Sequence, residues 1–169
     1  VPELRSALAQ HMAADYRGRI SPDNVSITSG CNQAFCAAIM ALAQRGDNVV
    51  LPSPYYFNHQ MWLNMLGVEK RLVPAFAPGR TYPLPEDAAA LINDRTRAIV
   101  LCSPNNPTGA IYPASIIEAF YDLAKASGIA LIIDATYKDF RSSPDPLHGL
   151  FARPDWQDSF VQLYSCLFY

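Results

Sequence analysis

The sequence predicts an α/β fold, a three-layer domain in which a mostly parallel sheet carries helices on both faces. Short apolar runs of strand length alternate with longer helical patterns along most of the 169 residues. The short runs are apolar at nearly every position, which is typical of parallel strands that are buried on both faces. No repeat, linker or low-complexity segment interrupts the alternation, so we expect a single domain over residues 1–169.

The first half of the chain opens with a helix. Leucine, methionine and tyrosine recur every four residues between Leu4 and Tyr16, which predicts a helix over 2–16. The other predicted elements of this half are a strand in "NVSITSG" (24–30), a helix over 32–44, a strand in "DNVVLP" (47–52) and a helix over 56–67. The helix over 32–44 is apolar nearly all round, so we expect it to be buried on most faces.

The second half continues the alternation. "EKRLVPAF" (69–76) is a strand that Pro74 places near a sheet edge or at the strand's own end. The other predicted elements are a helix over 85–93, a strand in "RAIVLCSP" (97–104), an amphipathic helix over 114–127, a strand in "IALIIDAT" (129–136), a loop-rich stretch over 141–158 and a last strand over 159–165.

Composition narrows the possible partners. Half of the residues are apolar, only 17% are charged, and the formal net charge is −2. A chain with this balance lacks the basic surface that nucleic acid or an anionic membrane attracts. No apolar run has the length of a membrane span. We therefore expect no nucleic-acid partner and no membrane insertion.

The cysteines and histidines of the sequence predict reduced thiols and no metal site. The four cysteines form no CxxC pair, and three of them have apolar neighbours, so we expect free thiols in a cytoplasmic protein. The three histidines are scattered without ligand spacing, which predicts no metal site. The chain opens on Val1 directly into a helical pattern, without a start methionine or a signal peptide, so we expect it to be part of a longer protein.

Candidate functional residues follow the predicted strands. Ligands of open α/β sheets bind beyond the carboxyl ends of the strands, where the following turns converge. The residues of interest in those turns are Gly30, Cys31, Asn32, Tyr56, Asn106, Asp134, Tyr137 and Ser165.

Each of these residue types allows more than one interpretation. Gly30 can let the amides of a helix N-terminus approach a phosphate, or can simply turn the chain. Tyr56 lies in an aromatic cluster that can pack in the core or stack on a flat cofactor. Asp134 follows four apolar residues, and a carboxylate buried there needs a compensating partner. That partner can be a cationic ligand, a turn that the side chain caps, or a metal.

The turn "SPNNPTG" (103–109) carries the most specific pattern. Pro104 and Pro107 fix the backbone and hold Asn106 between them. A rigid turn of this kind can present one amide as both donor and acceptor at a set position. A stiff connecting loop is the alternative, although it explains less well why a buried strand runs straight into two adjacent amides.

The turn "SPNNPTG" resembles the SPxNPTG turn of the class I/II, fold-type I aminotransferases, which use pyridoxal 5′-phosphate. Three further segments are similar to that family's phosphate-loop, aromatic and D-x-x-Y segments, in the same order and spacing: "ITSGCNQAFCAAI", "GDNVVLPSPYYFNH" and "LIIDATYKDF". The resemblance covers essentially the whole chain. It implies much of the large, cofactor-binding domain of the pyridoxal-phosphate transferase fold.

At the cofactor's phosphate, the resemblance implies four contacts. Gly30, Cys31 and Asn32 would offer backbone or side-chain donors to it. Ser165 matches the serine that opens the family's S-x-S-K segment and touches the phosphate.

At the cofactor's ring, the resemblance implies four more. Tyr56 would stack on the pyridine ring, and Asp134 would pair with the protonated ring nitrogen. Tyr137 would donate to the phenolic oxygen. Asn106 would also bind that oxygen and would lie near the substrate carboxylate.

The sequence departs from the family at the lysine that forms a Schiff base with the cofactor. Phe168 stands where that lysine is expected. The lysines of the chain are Lys70, at the wrong end of a strand, Lys125, on a helix, and Lys138, which we expect to face solvent. No catalytic residue is therefore assigned, and we expect the chain alone to be inactive. Truncation, an omitted modified lysine or an aberrant C-terminus would each explain the departure.

The resemblance implies a biosynthetic aminotransferase that moves an amino group between an amino acid and a 2-oxo acid, and that works as a homodimer. Three alternatives stay open. The same scaffold supports lyases, decarboxylases and cyclases. It can serve as the sensor domain of a transcription regulator, or it can be a degenerate remnant that binds no cofactor.

Overall fold

A computed structural model describes residues 1–166 and shows one five-stranded sheet with helices on both faces. The strands are β1 (Asn48–Ser53), β2 (Glu69–Pro74), β3 (Thr96–Cys102), β4 (Ala130–Asp134) and β5 (Phe160–Leu163). The helices are α1 (Pro2–Asp15), α2 (Cys31–Leu42), α3 (Phe57–Leu66), α4 (Pro85–Ala89) and α5 (Ala114–Ala126). Short 3₁₀ turns lie at Pro22–Asn24, Lys138–Phe140, Leu150–Ala152 and Trp156–Asp158.

The strand order, β2–β1–β3–β4–β5, creates a switch point in the sheet. All four pairings are parallel. The chain leaves β1 toward β2 on one side and returns to β3 on the other side of β1. Such a reversal opens a crevice at the carboxyl ends of the strands, where α/β proteins bind ligands. The register pairs Cys102 with Asp134, so the last residues of β3 and β4 lie side by side at that edge.

The two faces of the sheet carry separate cores, which explains why the central strands β3 and β4 are apolar throughout 98–102 and 130–133. Along β3, Ile99 and Leu101 belong to the cluster that also contains residues of α1 and α5. Ala98 and Val100 belong to the cluster that contains residues of α2 and α3. Successive side chains of a strand point to opposite faces, so each position of a strand covered on both sides needs an apolar residue. The predicted three-layer α/β class is confirmed, and β2 lies at a sheet edge with Pro74 as its last residue.

The prediction of a strand over 24–30 is wrong. Pro22–Asn24 forms a 3₁₀ turn. Val25 has extended backbone angles, φ −108° and ψ 122°, but residues 25–29 join no ladder in the described part of the chain. The alternation of Val25 and Ile27 with polar residues fits a strand locally, yet a strand also needs a hydrogen-bonded neighbour.

The prediction that α2 is buried on most faces is also wrong. Only Phe35 and Ile39 of this helix are buried, and Met40 is 63% exposed. Helix α2 packs on the sheet along one stripe, as most surface helices do. Burial within residues 1–166 therefore does not explain the other apolar residues of α2.

The four cysteines are free thiols. Within residues 1–166, no helix combines the length and the apolar character needed to cross a membrane.

His148 is a buried histidine held in its neutral form. Its Nε2 lies 2.8 Å from Oε1 of Gln162, and its Nδ1 accepts the backbone N–H of Leu150 at 3.2 Å. Because Nδ1 accepts, the ring proton lies on Nε2 and is donated to Gln162. Burial, only partly offset by the Gln162 hydrogen bond, lowers the pKa of His148 to about 4.

We expect this histidine to make stability fall as the pH falls. The folded-state pKa lies below the unfolded value of about 6.5, so the unfolded chain takes up the proton first. The stability is complete above that pH and is lost progressively toward pH 4, by about 2 kcal/mol between pH 7 and pH 5. Urea unfolding at a series of pH values should show this decline in the wild type. A His148→Gln variant should lack it, and equal slopes would contradict the assignment.

Candidate cofactor site

A cavity of about 220 Å³ lies beyond the carboxyl ends of the strands. Its walls include seven of the eight residues predicted from the sequence: Cys31, Asn32, Tyr56, Asn106, Asp134, Tyr137 and Ser165. The eighth, Gly30, directly precedes this wall as the N-terminal flanking residue of α2. The lining is completed by residues that sequence reasoning did not assign to the site: Phe35, His59, Cys102 and Thr136.

The topology brings these side chains together from distant parts of the chain. Tyr56 immediately precedes α3, and Asn106 follows β3. Asp134 is the last residue of β4, and Ser165 follows β5. Parallel strands end at the same edge of the sheet, so residues separated by a whole β–α–β unit meet in one place.

The N-terminus of α2 forms one wall of the cavity. Gly30 has φ +86°, in the left-handed region that favours glycine, and an added Cβ would meet no atom within 4 Å. The glycine is therefore needed for its backbone angle rather than for space. Helix α2 has no side-chain cap, and the first amides of a helix have no acceptor within it. Such amides and the helix dipole favour an anion at this end.

Asp134 is the central charged group of the site. The residue is only 4% exposed, and its Oδ2 lies 2.9 Å from Nε2 of His59. Its Oδ1 accepts the backbone N–H of Thr136 at 3.1 Å and the thiol of Cys31 at 3.8 Å. Burial raises the pKa of Asp134, but the hydrogen bonds from His59 and Thr136 together outweigh burial and hold it below its ordinary value. The carboxylate is therefore ionised at neutral pH.

His59 is the lining residue in direct contact with Asp134, and the sequence analysis does not assign it to the site. The residue is 1% exposed, and its ring stacks on Phe35 with centroids 4.3 Å apart. Tyr56 meets the His59 ring edge-on at 5.4 Å. Its Nδ1 is buried without a hydrogen-bond partner in the described part of the chain. A spacing of three from Tyr56 at the start of a helix places two residues on one face, and this spacing could have indicated His59.

Two thiols, the half-buried one of Cys31 and the buried one of Cys102, stay neutral beside Asp134. Burial, reinforced by the charge of Asp134, raises the pKa of Cys31 to about 12. Burial also raises the pKa of Cys102 well above its ordinary value. Thiolates do not form next to this carboxylate, so the two sulfurs act as neutral wall groups rather than nucleophiles.

The two asparagines of "SPNNPTG" have different surroundings. Asn105 holds the turn, because its Oδ1 accepts the hydroxyl of Thr108 at 2.8 Å and the backbone N–H of Thr108 at 3.3 Å. Its backbone also bonds to Gly109 and Ala110, at 2.7 and 2.8 Å. Asn106 instead lines the cavity. One amide therefore stabilises the turn that presents the other.

Asn58 links two walls of the site. Its amide donates to the hydroxyl of Tyr56 at 2.8 Å and to Oδ1 of Asn32 at 3.2 Å. The hydrogen bond between Asn58 and Asn32 joins the start of α3 to the first turn of α2. The position of the Tyr56 ring is thereby fixed against the helix N-terminus.

The prediction that Lys138 faces solvent is wrong. Its side chain is 4% exposed, and its Nζ lies 2.7 Å from Asp15 and 2.6 Å from Asp139. Lys138 does not line the 220 Å³ cavity but a second cavity of about 390 Å³. Lys70 lies at the amino end of β2, and Lys125 pairs with Asp155 on the surface. The position expected for a Schiff-base lysine, residue 168, falls outside the described residues.

The smaller cavity is the better candidate for a ligand site. The walls of the larger one include Lys138 and Arg141, whose polar groups already bind carboxylates or carbonyls. The smaller one gathers a buried carboxylate, an aromatic ring, an amide and a helix N-terminus, and it lies at the edge where α/β sheets bind ligands.

The fold and the cavity define an α/β domain in which a helix N-terminus and a buried carboxylate face one cavity at the sheet edge. Comparison with known proteins identifies its family. The profile of the family described as aminotransferase class I and II matches residues 1–165. The chain belongs to this family.

Among curated relatives, the aspartate aminotransferase of Thermotoga maritima is 34% identical over 135 residues, which is 80% of this chain and 36% of that protein. The aspartate/prephenate aminotransferase of Thermus thermophilus is 33% identical over 138 residues, 82% of this chain and 36% of that protein. The chain thus spans about a third of the length of these relatives.

Solved structures show the same fold. A tetra mutant of the Thermus thermophilus aspartate aminotransferase superposes with a TM-score of 0.89 at 29% identity, over 97% of this chain and 44% of that one. The alanine aminotransferase from Pyrococcus furiosus gives a TM-score of 0.85 at 25% identity, over 97% and 41% of the two chains. The predicted family and the predicted fold are therefore confirmed.

Proposed function

We propose that the chain is the pyridoxal-phosphate-binding part of an aminotransferase that moves an amino group between an amino acid and a 2-oxo acid. The observation that carries the proposal is the buried, ionised Asp134 at the sheet edge, in one cavity with Tyr56 and Asn106. When bound, the cofactor supplies an electron sink for bonds at the α-carbon of the amino acid. The chain's own residues hold the cofactor and set its charge.

The donor set fits the cofactor's phosphate. Cys31 and Asn32 open α2, where free amides and the helix dipole attract an anion. Ser165 lines the same cavity. In this proposal, Gly30 supplies the backbone angle that aims the amides, and Cys31, Asn32 and Ser165 complete the phosphate contacts.

The donor set also fits the cofactor's ring. Asp134 pairs with the protonated ring nitrogen, because a buried anion stabilises a cation at that place. Tyr56 stacks on the ring. Asn106 and Tyr137 would bind the phenolic oxygen, and Asn106 would also lie close to the substrate carboxylate. All four residues line the 220 Å³ cavity.

The size of the cavity suggests where the substrate binds. At 220 Å³ it lies below the range of about 300–1,000 Å³ that is usual for ligand pockets. We therefore expect the substrate to need further walls from outside residues 1–166, and part of the amino-acid specificity to reside there.

His59 positions the carboxylate and keeps it ionised. We expect a His59→Phe variant, which retains a ring against Phe35, to raise the pKa of Asp134, because burial then prevails. Its pyridoxal phosphate affinity should fall as the pH drops through that raised value, since a protonated Asp134 no longer attracts the ring cation. The wild type should keep its affinity over the same range.

Fluorescence titrations at a series of pH values test the role of His59. Titration of the cofactor's own phosphate is common to both proteins, so it cancels in the ratio of their affinities. A ratio that does not change with pH would contradict the role.

A cofactor titration tests the proposed function. The purified protein should change the absorption spectrum of added pyridoxal phosphate, and supplied amino donors should yield their 2-oxo acids in the complete enzyme. A spectrum identical to that of the free cofactor would overturn the proposal. Product analysis with labelled donors separates transamination from elimination or decarboxylation on the same scaffold.

We further propose a cytoplasmic homodimer with a biosynthetic role. The exposed apolar residues on α3 support a second subunit, because Phe57, Met61 and Met65 recur every four residues and are 62, 52 and 68% exposed. Such a stripe favours coverage by another copy of the chain. Light scattering on the complete protein should give twice the mass of one chain, and a monomer mass would contradict the dimer.

A further inference from the structure

The structure contains an ionic cluster around a buried lysine, next to the 220 Å³ cavity but outside it. We define the Lys138 cluster as Lys138, Asp15, Asp139 and Tyr164. Nζ of Lys138 lies 2.7 Å from Oδ2 of Asp15 and 2.6 Å from Oδ1 of Asp139. The same ammonium group lies 4.6 Å from the centre of the Tyr164 ring, and the Tyr164 hydroxyl donates to Oδ2 of Asp139 at 2.7 Å.

The cluster joins three elements that are far apart in the sequence. Asp15 is the last residue of α1, Lys138 and Asp139 belong to the 3₁₀ turn after β4, and Tyr164 follows β5. The lysine side chain is 4% exposed, whereas Asp15 and Asp139 are 37% and 51% exposed. The ammonium group is thus the buried centre, and without it the two carboxylates would lose the cation that they share.

The members of the cluster are sequence neighbours of cofactor-site residues. Lys138 directly follows Tyr137, and Tyr164 directly precedes Ser165, and both Tyr137 and Ser165 line the 220 Å³ cavity. A displacement of either cluster residue therefore moves a wall residue through the shared backbone.

We propose that Lys138 is a positioning residue, whose ion pairs and contact with Tyr164 hold Tyr137 and Ser165 in place for the cofactor. The proposal rests on the proposed function, because it assigns a target to the positioned residues. Lys138 contributes no atom to the cavity and forms no bond to the cofactor. Its role is to fix one residue that faces the phenolic oxygen and one that faces the phosphate.

The test compares matched lysine variants. Lys138→Met keeps the apolar stem and removes the charge, and it should lower pyridoxal phosphate affinity about tenfold. It should also shift the absorption band of the bound cofactor, because Tyr137 moves against the phenolic oxygen. Lys125→Met is the control, since Lys125 also pairs with an aspartate but lies on the surface of α5, and its affinity and band should match the wild type.

The outcomes are distinct. Wild-type protein that binds no pyridoxal phosphate contradicts the proposed function, not the role of Lys138. If the wild type binds and Lys138→Met binds equally well with the same band, the positioning role is overturned, even if the variant unfolds more easily. A borohydride-stable adduct that maps to Lys138 would also overturn it, because the lysine would then contact the cofactor directly.

A second variant covers the case in which Lys138→Met does not fold. Asp15→Asn removes one carboxylate from the partly exposed end of α1 and leaves the lysine in place. It should lower cofactor affinity about threefold, because Lys138 keeps Asp139 and Tyr164. Unchanged affinity and an unchanged band in Asp15→Asn would then contradict the proposal.

Discussion

Replacement of Asp134 by alanine is expected to lower pyridoxal phosphate affinity by about 100-fold. The carboxylate is buried and ionised, and hydrogen bonds to charged groups contribute about 1.5–3 kcal/mol, while each 1.4 kcal/mol is about tenfold in affinity. Without Asp134, a protonated pyridine ring would enter a buried site that has no anion beside it. Spectroscopic titration of the variant against the wild type measures the loss.

Two further variants test whether the loss of affinity in Asp134→Ala comes from the missing charge at this position. Asp134→Asn keeps the volume and can still accept from His59 and Thr136, so it separates the loss of charge from the loss of packing. Asp122→Asn removes an exposed aspartate that pairs with Arg153 on the far surface of α5, and it should bind the cofactor normally. Wild-type affinity in Asp134→Ala would remove this residue from the site.

The adjacent asparagines of the "SPNNPTG" turn should give opposite phenotypes. Asn105→Ala should lower the free energy of unfolding by about 1–2 kcal/mol, because it removes the two hydrogen bonds that the buried Asn105 amide oxygen accepts from the exposed Thr108. Asn106→Ala should leave stability within about 0.5 kcal/mol of the wild type, as expected away from buried hydrogen-bond networks. It should instead weaken cofactor binding and alter the bound spectrum.

Urea unfolding and cofactor titration on the two variants test this division. Each variant serves as the control of the other, since the two side chains are chemically identical and adjacent. If Asn105→Ala were stable and Asn106→Ala unstable, the assignment of structural and cofactor-facing roles would be reversed. Equal effects on both measurements would show that the turn acts as one unit.

Much of the fold could be predicted because its signals are local. All five strands of the sheet overlap segments that the sequence predicts as strands, and Gly67, with φ +70°, ends α3 as expected. The failure over 24–30 came from the same local reasoning. Alternation at Val25 and Ile27 predicts a strand, but pairing depends on a neighbour that the sequence pattern alone does not supply.

The site could be predicted in part, because topology gathers the residues that follow parallel strands. Asp134 and Asn106 were found by position and by resemblance. His59 was missed, because its spacing from Tyr56 indicates a shared helix face but not that its ring meets a carboxylate 75 residues further along the chain.

The error at Lys138 has the same origin. A lysine after a tyrosine at a strand end usually extends into water. Here its partner Asp15 lies 123 positions earlier, on α1. Long-range pairs of this kind depend on how whole helices and strands pack together. Local patterns in a single sequence therefore do not predict them.

The walls of the cofactor cavity extend along the sequence from Cys31 to Ser165, so the cavity exists only when the sheet is fully assembled. A ligand that binds there stabilises the native chain by mass action, by about 2.7 kcal/mol at 100 times its dissociation constant. Under the proposed function, pyridoxal phosphate, a form of vitamin B6, would then stabilise the folded chain as well as take part in its reaction. In cells short of it, this polypeptide should be cleared sooner by proteases, and its abundance should follow the supply of the nutrient.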